Sequence, residues 1–141
     1  MRTTLRVLAC VSVLILGTLA VGHLRASDEY LATMAPITDL TTGTNAALTV
    51  DFNQYGPRQR WTLSGNITIT TLANARSGVP YHILFKQDAT GSRTVSWPSN
   101  VLWSGGSAPT ITTAANKQDI IEIFWDEKNA KFLGFALAQN F

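Results

Sequence analysis

AALTVDFNQYGPRQRWTLSGNITIT, residues 46–70, is where the chain takes up a two-residue rhythm. Leu48, Val50 and Phe52 alternate with Thr49 and Asp51, and a turn follows at Tyr55-Gly56-Pro57-Arg58. Trp61 and Leu63 mark a second short run, Gly65-Asn66 turns the chain, and Ile67 and Ile69 alternate with Thr68 and Thr70. Successive side chains of a strand point to opposite faces, so this alternation describes half-buried strands, and the Gly, Pro and Asn clusters describe their ends. Short strands joined by tight turns predict adjacent antiparallel neighbours.

The rhythm continues downstream. Tyr81, Ile83 and Phe85 oppose His82, Leu84 and Lys86, and the loop Ala89-Thr90-Gly91-Ser92 leads into Arg93, Val95 and Trp97, a pattern that predicts a hairpin. Pro98 ends its second strand, since proline has no N–H for a ladder. Residues 101–109, with Gly105-Gly106, predict a long loop containing a brief strand, and Thr110 to Thr113 a further β segment. Ile120 to Trp125 is apolar on both faces and predicts a central strand, with Lys131 to Leu137 returning beside it after a turn at 126–130. The expected fold is all-β, an antiparallel β-sandwich of jelly-roll type over residues 46–141.

Upstream the composition changes. Arg2 and Arg6 precede an apolar run from Val7 to Gly22, and polar residues return from His23 onward. Residues 7–24 as one hydrophobic helix would span about 27 Å, close to a bilayer's hydrocarbon core. Residues 1–26 therefore predict a signal peptide or a membrane anchor, contacting the membrane through residues 7–24 and delivering the remainder to the far side. Cys10, the single cysteine, lies in that run, which excludes a disulfide framework and a cysteine-based zinc site. Residues 27–45, rich in Thr, Ala and Asp with Pro36, predict a linker or stalk.

The segment also explains the basic pI. Three of the eleven Lys and Arg residues lie in it (Arg2, Arg6 and Arg25), leaving eight against nine carboxylates in the rest of the chain. No basic stripe marks the β domain, so nucleic acid is not an expected partner.

A search for chemistry returns no constellation. His82 is the β domain's one histidine, too few for a multi-histidine metal site, and it sits in mid-strand. Asp126 and Glu127 are neighbours beside Lys128 and Asn129 and describe a turn, whereas a glycosidase needs two carboxyls across a cleft. Gly105-Gly106 lacks the Lys and Ser/Thr of a phosphate loop. Asp51, Asp88, Asp119 and Asp126 have no EF-hand spacing. Asn66-Ile67-Thr68 fits a glycosylation acceptor or a turn asparagine. Neither catalytic residues, nor a metal, nor a cofactor is expected. Aromatic residues are the remaining candidates: Trp97 and Trp103 flank a polar loop containing Asn100, and an indole beside polar groups suits a sugar face. Alternatively both rings plug the end of the sandwich.

Lys86 to Thr113, KQDATGSRTVSWPSNVLWSGGSAPTITT, resembles a module of bacteriophage tail-fibre and minor virion structural proteins. The matching elements are Lys86 to Gly91, Arg93 to Val95, Trp97 to Ser99, Val101, Trp103, Gly105-Gly106 and Ala108-Pro109, followed by Asp119, Trp125-Asp126 and Asn140-Phe141. The resemblance covers residues 46–141. It implies a non-enzymatic structural or attachment role, a homotrimer, and contacts with other virion proteins or a cell-surface glycan. An apolar N-terminus in place of a long shaft implies a virion spike held at a membrane. The alternative is an exported bacterial carbohydrate-binding or adhesin-like surface module.

Overall fold

A computed structural model describes residues 36–141. The expected N-terminal helix and the signal or anchor at 1–26 lie outside them; among the described residues no helix is long and apolar enough to cross a membrane. The described chain is all-β but for one helical turn. Its strands are β1 (Thr38–Thr41), β2 (Ala46–Asp51), β3 (Arg58–Leu63), β4 (Ile67–Ala73), β5 (Tyr81–Gln87), β6 (Val95–Ser96), β7 (Val101–Trp103), β8 (Gln118–Asp126) and β9 (Lys131–Ala138). The helical turn, α1 (Phe52–Tyr55), is capped by Asp51, whose carboxylate accepts from the Asn53 and Gln54 amides.

The strands form a mixed sheet ordered β1-β3-β5-β8-β9-β7 and a smaller, parallel sheet ordered β2-β4-β6. The expected antiparallel jelly roll is corrected by this order. β1, β3 and β5 are mutually parallel, as are β2, β4 and β6, and β7 runs parallel to β9; β5–β8 and β8–β9 are the antiparallel pairs. Consecutive strands from β1 to β6 alternate between the sheets, so sheet neighbours lie two strands apart in sequence and run the same way. Leu40 pairs with Trp61 and Trp61 with Phe85, while Ala46 pairs with Ile67 and Ile67 with Val95. The chain thus winds three times between sheets, stacking turn upon turn without a sequence repeat.

The corners make the stacking possible. The Thr42 amide donates to the Thr62 carbonyl at 3.0 Å, and the Ser64 amide to the Thr42 hydroxyl at 3.1 Å. A Cβ at Gly65 would stand 2.8 Å from the backbone of Thr44 and Asn45, so the upper corner can seat on the lower one only as glycine. Thr38–Thr41, expected as linker, is part of this architecture: Leu40 packs on the core and Thr42 is buried.

The predicted hairpin of 81–97 is also corrected, because β5 and β6 lie in different sheets. Gln87, fully buried, donates to the Arg93 carbonyl and accepts from the Arg93 amide, taking the groups that a hairpin ladder would have used. β8 is central as expected, between β5 and β9. One apolar cluster draws on both sheets, with Val50, Ile67 and Ile69 from the smaller and Leu63, Ile83, Phe85, Ile121, Ile123 and Phe132 from the larger.

Candidate functional site

Beyond β5 the larger sheet gains three strands while the smaller ends at β6. Loop residues must cover the difference. Thr110 to Thr113, expected as a β segment, runs through this region without a ladder, its backbone held mostly by side chains and, at the Thr113 carbonyl, by the Ser92 amide. Gln87 donates to the Thr112 carbonyl at 2.8 Å, the buried Asp119 carboxylate accepts from the Thr112 amide, and Gln139 donates to the Thr110 carbonyl at 2.7 Å. Asp119 also accepts from the Asn140 amide at 2.9 Å, fixing the C-terminus. Gln59 plays the matching part at the other end, donating to the Asp51 and Gly56 carbonyls and accepting from the Trp61 indole.

These three buried polar side chains share strand parity with core residues: Gln59 with Trp61 and Leu63, Gln87 with Ile83 and Phe85, Asp119 with Ile121 and Ile123. Such parity was the signal that could have found them, since a polar group placed on the core face must bring its partners with it.

Between Thr94–Trp97 on one side and Ala108–Ile111 on the other lies a cleft of about 390 Å³. Trp97, one of the expected ligand residues, lines it. The ring is half-buried, 5.6 Å from the Phe85 ring and 4.8 Å from that of Trp103, edge to face in both cases. Trp103 is half-buried against Gly134, where a Cβ would come within 2.6 Å of the indole. Both tryptophans pack against the core. Asn100 lies in the turn between them, its carbonyl accepting from the Phe132 amide at 3.1 Å. The structure therefore brings Trp97 and Trp103 into contact, and Trp97 alone of the three expected residues borders the cleft. The wall at 108–111 was missed from sequence because nothing local says which strand a loop will face.

Titratable side chains are spent on structure. His82 Nε2 lies 2.9 Å from Glu122 Oε2 on the outer face of the larger sheet, both groups half-buried. The Arg93 guanidinium beside Asp88 holds that carboxyl below the usual aspartate range, and the Asn74 and Asn129 side chains do the same for Asp51 and Asp126. The four aspartates weighed as calcium ligands are thus dispersed among separate turns and clamps. Among the described residues no cluster of three or more metal-ligating side chains occurs.

The outer face of the larger sheet carries apolar residues at its far edge. Leu102, Leu133 and Phe124 sit in register across β7, β9 and β8, with Phe135 in the adjoining row. Leu102 is 52 % exposed, Leu137 55 % and Phe141 61 %.

Residues 37–130 match a family model described as "Putative phage tail fibre C-terminal domain". Searches of curated proteins and of solved structures returned no match.

Proposed function

The chain belongs to the phage tail-fibre C-terminal domain family, and from that premise we propose that it is a receptor-facing attachment module of the virion, structural and not catalytic, that works as a homotrimer. The family match carries the virion role, spanning the strands from β1 to β8. Support for self-association comes from the outer face of the larger sheet. Leu102, Phe135, Leu137 and Phe141 are exposed there and at the neighbouring C-terminus, and clustered exposed apolar groups on a small domain are what a protein interface covers. β7 is also an edge strand, whose free backbone groups invite a partner.

Residues 7–24 are proposed to hold this module at a membrane, with the β domain on the extracytoplasmic side. The order of charge and apolar run supports that reading.

Two measurements test the proposal. Mass spectrometry of purified virus particles should find the chain, and its absence would remove the virion role. Light scattering on the full chain should give a trimer that Leu102→Ser combined with Leu137→Ser converts to monomer with an unchanged circular dichroism spectrum. A monomeric parent chain would overturn the trimer.

A further inference from the structure

The cleft beside β6 has walls that do not bond to one another. Thr110 and Thr112 are pinned from behind by Gln139, Gln87 and Asp119, and β6 is pinned by its ladder to β4. The space is therefore held open before any ligand arrives, and a preformed site spares the ligand the cost of ordering it. Its volume of about 390 Å³ falls in the range of small-ligand pockets.

The lining selects a chemistry. Thr94, Ser96 and Thr110 offer hydroxyls, Trp97, Pro109 and Ile111 offer apolar surface, and no ionisable residue is present. The nearest cation in sequence, Arg93, has its Nε and an Nη committed to Asp88 at 3.1 and 2.8 Å. An anion would find nothing to pair with. An added peptide strand fares no better: β6 has two ladder residues before Pro98, and Pro109 on the facing wall has no N–H to give. Trp97 is the one aromatic ring in the lining, an apolar surface of the kind a sugar ring stacks on.

We propose that this cleft binds a neutral, hydroxyl-rich ligand, a sugar unit of a surface glycan. The inference rests on the attachment reading for its biological use, but not for its physical test. The full chain would be titrated with glucose, galactose, rhamnose and N-acetylglucosamine, with glucuronic acid and an extended hexapeptide as contrasts, following tryptophan fluorescence and backbone amide shifts. At least one neutral sugar should shift the amides of 94–97 and 108–111, while the acid and the peptide should not.

Ser96→Arg and Thr110→Arg, both at exposed positions, should fill the cleft and weaken sugar binding about tenfold or more without changing the melting temperature. Neutral sugars that leave those amides unmoved would overturn the site, as would binding indifferent to both arginines or a preference for the peptide. Host-cell binding separates the two readings. Binding that survives both arginines leaves attachment standing and removes the cleft; sugar binding without cell binding keeps the cleft and removes attachment.

Discussion

Gly134 and Trp103 share a space too small for two side chains. A Cβ at Gly134 would sit 2.6 Å from the indole, so Gly134→Ala forces the ring off its rotamer or the strand out of register, at a cost of about 1–3 kcal/mol. Trp103→Ala removes the ring itself and leaves a hole, costing about 3–5 kcal/mol. Urea denaturation checks both, and because the two positions touch, the double variant Gly134→Ala with Trp103→Leu should cost less than the sum of its singles. A surface-only role for Trp103 would leave stability unchanged on its removal. Asp119 makes the same point with polar groups. Asp119→Ala strands the Thr112 and Asn140 amides, and with about 1–3 kcal/mol for each unsatisfied group the C-terminal residues and the 110–113 segment should both lose hydrogen-exchange protection.

At the scale of elements, the turns decide which strands meet. The 88–93 turn is held by Asp88, which accepts from the Thr90 and Gly91 amides and from Arg93. Gly91 has φ of +72°, and a Cβ there would meet the Thr113 carbonyl at 2.6 Å. Gly91→Ala should therefore loosen the crossing from β5 to β6 by about 1 kcal/mol or more, read as a lower urea midpoint. This turn, the helical cap at Asp51 and the turn at Asp126 carry a pH dependence. Asp51, Asp88 and Asp126 all have carboxyls held below their ordinary value, through hydrogen bonds from Asn74, Arg93 and Asn129 respectively. A depressed folded-state pKa stabilises the fold above the unfolded value, and that stabilisation is lost as pH falls through the folded value. The melting temperature should be level from neutral pH downward and drop below about pH 4. Asp88→Asn should make the drop shallower.

For the whole molecule, the winding from β1 to β6 and the addition of β8, β9 and β7 leave the larger sheet three strands wider on one side, and the two surfaces proposed above follow from that mismatch. The cleft lies where the smaller sheet runs out. The apolar outer face lies on the strands that have no counterpart.

Much of this was legible one residue at a time. Alternation located β2 to β5, because burial on one face of a strand is a local pattern with a period of two, and a run apolar on both faces located β8, with β9 returning beside it after a turn. The central place of β8 was written in Ile120, Ile121, Ile123 and Phe124, and the core-facing places of Gln59, Gln87 and Asp119 were written in their parity. Partnership was not. A hairpin and a crossing between sheets begin with the same alternating run and the same glycine turn; what separates them is whether Arg93 bonds to a strand or to the Gln87 side chain, and that is settled only when the core closes around Gln87. β1 was hidden for the same reason: Thr38–Thr41 has little apolar character of its own and becomes a strand by pairing with β3. The sequence by itself determined an all-β domain and the absence of a local catalytic motif in its residues, since both are matters of residue type and spacing. Only the tertiary structure decided that the strands are mostly parallel and that Trp97 faces a cleft across from Pro109, since both depend on contacts between segments that no local period encodes.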